Sequence, residues 1–127
     1  MDAVRASAER PLILLVDDDA SLREALAFAL TIEGFAVESC ESGEALVGRG
    51  DNPAPACLVL DQHLQGVSGI EALAILRVRG VAWPTLFITT HPSAELRATA
   101  ARLGARILEK PLLGGVLPAA LREILDL

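Results

Sequence analysis

Apolar residues fall along this chain in five short runs, at 12–16 (LILLV), 35–37 (FAV), 57–60 (CLVL), 85–89 (TLFIT) and 106–108 (RIL). Each is the length of a strand, and three of them, 12–16, 57–60 and 85–89, are almost uninterrupted. That is the pattern of central parallel strands covered on both faces. The stretch FAVES alternates instead, as an edge strand with one wet face does. Between the runs the period changes to that of helices. Asp19 or Ser21 can cap a helix whose stripe is Leu22, Leu26, Ala29 and Leu30, and Gly34 stops it. Ser42 is placed to cap a second helix, ahead of the loop GRGDNPAPA. Ser68 and Glu71 have capping-box spacing for a third, which ends near Gly80. Ser93 opens a fourth that stops at Gly104. Gly114, Gly115 and Pro118 fit the start of a fifth, since proline is tolerated in a first turn.

Five strands alternating with five helices predict an α/β fold, a doubly wound parallel sheet with right-handed crossovers. Ligands of such sheets bind beyond the carboxyl ends of the strands. The residues expected there are Asp17 and Asp18 after the first strand, Asp61 after the third, Thr89 and Thr90 at the fourth and Lys110 after the fifth. The second strand ends in Ser39 and Cys40 and offers no comparable group. Three carboxylates converging on one place raise each other's pKa unless a cation relieves them, and hard oxygen ligands of this kind suit Mg²⁺. A carboxylate can also act as a nucleophile and become an aspartyl-phosphate. Asp61, alone at its strand end and facing the acidic pair, suits that role. Transfer of a phosphoryl group needs its charge neutralised, for which Mg²⁺, the Lys110 ammonium and the Thr89 hydroxyl are available. On this reading Asp17 and Asp18 make a cation site and Asp19 begins the helix.

Composition narrows the picture. At 127 residues and 52% hydrophobic, with a mean hydropathy of +0.44, the chain can bury one domain's core and is not disordered. No apolar run approaches the roughly 18 residues that span a bilayer. The opening MDAVRASAERP lacks an apolar signal core, so residues 1–10 read as a polar lead-in to a domain over 11–127, with a cytoplasmic location and no membrane partner expected. A net charge of −6 and an aromatic content of 3% argue against direct nucleic-acid binding by this chain. Cys40 and Cys57 lack metal spacing and read as buried thiols.

The motifs LLVDDDASLREAL, LVLDQHLQGVSGIEAL, FITTHPS and ILEKPL, in this order and spacing, resemble the receiver domains of bacterial two-component response regulators. The triple Asp and ALTIEGFAVESCESGEAL are most similar to receivers of nitrogen-fixation-type regulators with a helix-turn-helix output. The resemblance implies a flavodoxin-like (βα)5 sheet in the order 2-1-3-4-5. It makes Asp61 the phosphoacceptor, with Asp17 and Asp18 as the acidic pocket. Asp18, Asp61 and the backbone carbonyl of His63 would ligate Mg²⁺, while Thr89 and Lys110 would meet the phosphoryl oxygens. It further implies a cis bond at Lys110–Pro111. The donor would be a sensor histidine kinase, a phosphotransfer protein or a small acyl phosphate. It implies too that His63 and His91, two residues past Asp61 and Thr89, flank the phosphate, and that similar receivers dimerise on phosphorylation through helix 4, strand 5 and helix 5. The fourth helix, with an apolar face of only Leu96, Ala100 and Leu103, has the low local stability that a switching surface requires.

Two departures stand out. Gln65-Gly66 replaces the family's usual proline, which predicts a more flexible loop after Asp61. Ile107 stands where an aromatic residue is common, and it cannot make the same inward swing. Rival readings are weaker. VDDDAS approximates the Asp-x-Asp signature of haloacid-dehalogenase-like phosphatases, but the chain lacks room for their cap and a later acidic motif. A phosphorylation-independent pseudo-receiver is the alternative, yet all five chemical residues are present. The ending LREILDL closes a fifth helix and suits either a stand-alone receiver or part of a longer regulator.

Overall fold

The computed structural model describes residues 10–127, so the expected lead-in lies, apart from Arg10, outside the described residues. The apolar runs form five strands: β1 (Leu12–Val16), β2 (Ala36–Cys40), β3 (Cys57–Asp61), β4 (Thr85–Thr89) and β5 (Ala105–Glu109). Between and after them lie α1 (Ala20–Ile32), α2 (Gly43–Gly48), α3 (Gly69–Val78), α4 (Ala94–Arg102) and α5 (Val116–Leu125). All strand pairs are parallel, and the sheet order is β2-β1-β3-β4-β5. The second strand lies further along the chain than the run 35–37 predicted. Its backbone pairs with β1 as far as Val16↔Cys40, because ladder bonds, not apolar content, define an edge strand's length. β3 likewise extends to include Asp61, which pairs with Ile88.

The side-chain period of two divides each strand between two cores. Leu14, Val16, Leu58, Leu60 and Phe87 meet Leu46 of α2 and Ala72, Leu73 and Leu76 of α3. Ile13, Leu15, Val59, Leu86 and Ile88 meet Leu30 of α1 and Leu117 and Leu121 of α5. A fully buried leucine contributes about 1.5–3 kcal/mol, against about 1 kcal/mol for a helix cap. The two apolar layers therefore dominate the stability of the sheet, and the caps place the helix starts.

Those caps follow the sequence closely. Asp19, not Ser21, caps α1, its carboxylate accepting from Leu22 N at 3.1 Å. Ser42 and Ser93 cap α2 and α4, and Ser68 with Glu71 forms the complete capping box of α3. Gly115 precedes α5 with no side-chain cap, and Pro118 sits in that helix's first turn. α4 is anchored by the stripe the sequence suggested, with Ala100 its one buried residue and Leu96 and the following Leu103 packed half-buried against the core. Cys40 and Cys57 are both buried free thiols; burial pushes Cys57 up to about 11. Among the described residues no helix is long and apolar enough to cross a membrane.

At the amino ends of β4 and β5 one side chain joins the incoming loops. Arg77, in the last turn of α3, donates to the carbonyls of Leu103 (2.7 Å), Val81 (3.0 Å) and Trp83 (3.0 Å) and to Thr85 Oγ1 (3.2 Å). Trp83 packs half-buried against the core with the Arg49 guanidinium 5.8 Å from its ring centroid.

Candidate functional site

The strand ends bring the predicted groups together. Asp17 directly follows β1 and is held in line with the sheet, its N–H donating to Cys40 O at 3.3 Å. Its carboxylate accepts from Asp19 N at 2.9 Å, and Arg23 caps its carbonyl at 2.7 Å. Asp61 is the last residue of β3 and only 4% exposed. Its Oδ1 accepts from His63 N at 3.1 Å, and its Oδ2 lies 3.0 Å from Lys110 Nζ. Lys110 reaches it from the turn after β5, where the Lys110–Pro111 bond is cis, and its own N–H donates to Thr89 O at 2.9 Å. Thr89 ends β4 and is 1% exposed, whereas Thr90 is exposed, so the strand's alternation separates the two candidate hydroxyls.

Asp18 is exposed at the rim, its Oδ2 accepting from Gln65 N at 3.2 Å. His63 and His91 are exposed as well, His91 with φ 47° at the turn after Thr90. Ile107 lies half-buried against the core layer that holds Phe87.

Three carboxylates thus stand at these strand ends with one ammonium, which pairs with Asp61. Burial raises the pKa of Asp17 above its ordinary value. The Asp19 N–H opposes the shift, Asp61 adds to it, Lys110 opposes it and Asp18 adds to it. Groups in that condition favour a cation that their own lysine does not fully supply. Among the described residues no three side chains of His, Cys, Asp or Glu close up into a metal cage. Mg²⁺ does not require one, because it keeps several waters and takes one or two carboxylates. The donor set is therefore of the right chemistry for it: hard oxygens, few and hydrated. Beside Lys110 opens a largely apolar groove of about 530 Å³, lined by Leu22, Leu26, His91, Pro111 and Leu112 among others.

The loop from Asp61 to α3 is closed by hydrogen bonds between its two ends. Gly69 N donates to Gln62 O at 3.2 Å, and Ile70 N to the Gln62 side chain at 2.9 Å. A Cβ on Gly69 would collide with the Asp61 carbonyl and meet the Phe87 ring at 2.9 Å, so only glycine permits this approach. Further along, Val67 N donates to Glu44 Oε2 at 3.1 Å. Sequence reasoning missed Glu44, which reads there only as the first turn of the second helix. Its partner lies 23 residues away, and no local pattern announces it.

Comparison with known proteins agrees with this arrangement. Residues 13–122 match the response regulator receiver domain. The chain is 37% identical over 112 residues to the transcriptional regulatory protein FixJ of Azorhizobium caulinodans, covering 87% of this chain and 53% of that protein. It is 37% identical over 122 residues to the transcriptional regulatory protein TrcR of Mycobacterium tuberculosis, covering 95% and 48% respectively. It thus spans about half the length of the curated relatives it matches. The crystal structure of FixJ-N superposes with a TM-score of 0.82 at 30% identity, covering 93% of this chain and 95% of that one. The parallel 2-1-3-4-5 sheet, the acidic strand ends and these relatives agree: the chain belongs to the response regulator receiver domain family, with relatives among the nitrogen-fixation-type regulators.

Proposed function

We propose that this receiver domain accepts a phosphoryl group on Asp61 from the phosphohistidine of a sensor histidine kinase or phosphotransfer protein. The observation that carries the reading is the buried Asp61 carboxylate paired with Lys110 at 3.0 Å beside the acidic ends of β1. An Asp61 oxygen attacks phosphorus as the N–P bond of the donor breaks. The departing imidazole keeps that bond's electron pair and leaves neutral, its other nitrogen carrying the proton. Lys110 pairs with the phosphoryl oxygens, and the Thr89 hydroxyl donates to another. Charge on those oxygens is further neutralised by Mg²⁺ when it is held by Asp17, Asp18 and Asp61 with the His63 carbonyl. The apolar groove beside Lys110 suits the donor's histidine-bearing segment.

The same reading makes the protein a signalling phosphoacceptor, not an enzyme acting on other molecules, and puts it in the cytoplasm with no direct hold on nucleic acid. Phosphorylation remodels the face formed by α4, β5 and α5 and favours a homodimer there. α4 suits this role because Ala100 is its one buried residue, and its Arg97 pairs with Glu109 of β5 at an exposed site.

The test is incubation with acetyl phosphate and Mg²⁺, read by intact mass, wild type beside Asp61→Asn. The wild type gains one phosphoryl mass; the variant does not, and chelator abolishes the gain. An unlabelled wild type, under conditions that label another receiver, would sink the reading in favour of a phosphorylation-independent module.

A further inference from the structure

The end of the second strand was expected to offer no chemical group, yet the start of α2 just beyond it touches the loop after Asp61 at three points. Glu44 accepts the Val67 N–H at 3.1 Å. Gly66, at φ +76°, lies so close to the Glu44 carboxylate that a Cβ there would collide with it. Gly43 is equally confined, since its Cβ would meet Val67 O at 2.7 Å and the Val67 side chain at 3.2 Å. One residue earlier in the loop, Gln65 donates its N–H to Asp18 Oδ2. A proline at position 65 would have no such donor. The loop carrying His63 is thus tied to the ends of two other strands, by Asp18 after β1 and by Glu44 after β2.

We infer that Glu44 is a positioning residue for the cation site: by holding Val67 it fixes the Gln62–Val67 loop so that the His63 carbonyl and Asp18 are presented together. This rests on the Mg²⁺ site proposed above. The Gln65–Asp18 bond occupies one carboxylate oxygen and leaves the other to a cation, so the loop and the metal share Asp18 without excluding each other. Without Glu44, residues 65–67 keep only the rim bond from Gln65 N to Asp18 before the capping box takes over at Ser68. They then sample conformations that a cation must freeze out on binding, and affinity falls by the cost of that ordering. Glu44 is exposed, so the expected loss is modest, about fivefold, of the size of one net hydrogen bond.

The experiment is a titration of metal-free protein with Mg²⁺ alone, followed by amide chemical shifts, for wild type, Glu44→Ala and Glu44→Gln. Amide exchange at Gln65 and Val67 is measured before metal is added. Glu44→Ala should bind Mg²⁺ about fivefold more weakly and exchange faster at Val67. Glu44→Gln keeps an acceptor oxygen while losing the charge, and should stay close to wild type. If Gln and Ala weaken binding equally, Glu44 acts only through its charge and the positioning role is overturned. Wild-type affinity and Val67 protection in Glu44→Ala overturn it too, leaving the proposed phosphoacceptor intact. A wild type that binds no Mg²⁺ at millimolar concentrations overturns both.

Discussion

At the amino end of the sheet Arg77 brings a half-buried cation among neutral acceptors, while at the carboxyl end Asp17, Asp18 and Asp61 share one lysine, Lys110, which pairs with Asp61. Arg77 makes four hydrogen bonds to the loops entering β4 and β5, and no carboxylate answers it. Its burial lowers its pKa, yet a guanidinium remains charged under all ordinary conditions. The opposite end has more negative charge than its lysine can balance, and burial raises the Asp17 pKa. One end satisfies its polar groups internally; the other carries an excess of negative charge that an added cation can balance. Stability and function are separated along the strand axis, as crevices at strand carboxyl ends in open α/β sheets allow.

Removing the hub should have the largest effect on this contrast. Arg77→Ala leaves the Leu103 and Val81 carbonyls without this donor and Trp83 O with only the Thr85 hydroxyl, and should destabilise the fold by about 2–4 kcal/mol. The midpoint of urea unfolding measures it. A loss below about 0.5 kcal/mol would mean that water replaces the guanidinium at no cost and that the amino end is not held together by it.

Next in size is the response to metal. Mg²⁺ at ten times its Kd should stabilise the wild type by about 1.4 kcal/mol, visible as a rise of a few degrees in Tm. Asp61→Asn and Asp18→Asn should lose most of that rise, while a core substitution lowers Tm without touching the increment. An equal increment in all variants would locate the cation elsewhere.

The smallest effect concerns charge alone. Asp17→Asn in metal-free buffer should raise Tm at neutral pH, because the amide oxygen still accepts from Asp19 while the buried charge is gone. The sign follows from the raised pKa. The folded state favours the protonated acid, so wild-type stability is fullest below the unfolded value of 3.8 and is lost as pH rises through the higher folded value. The gap between the two proteins therefore closes as pH falls towards 3.8, and a gap independent of pH would show that packing, not charge, separates them.

Much of this was legible from one dimension. Nearly uninterrupted runs such as CLVL read as central strands, and β3 is buried at every position. Caps at Asp19, Ser42, Ser68 and Ser93 were readable because a cap bonds within three residues of itself. The chemical groups Asp17, Asp61, Thr89 and Lys110 were readable because topology alone puts strand ends together. The extent of β2 was not, since an edge strand is set by its ladder. The hydrogen bonds of the loop after Asp61 were not legible for a similar reason: its partners Glu44 and Asp18 are distant in sequence.

By itself, then, the sequence determined what depends on neighbours along the chain: hydrophobic period, turns, caps and the residue type at each strand end. The tertiary structure decided which exposed polar groups meet, as in the reach of Arg77 to Leu103, of Glu44 to Val67 and of Asp18 to Gln65. The physical reason is directionality. Burial is nonspecific enough to be written as a pattern, whereas a hydrogen bond requires donor and acceptor within about 3 Å and aligned, a condition met only once the chain has closed on itself.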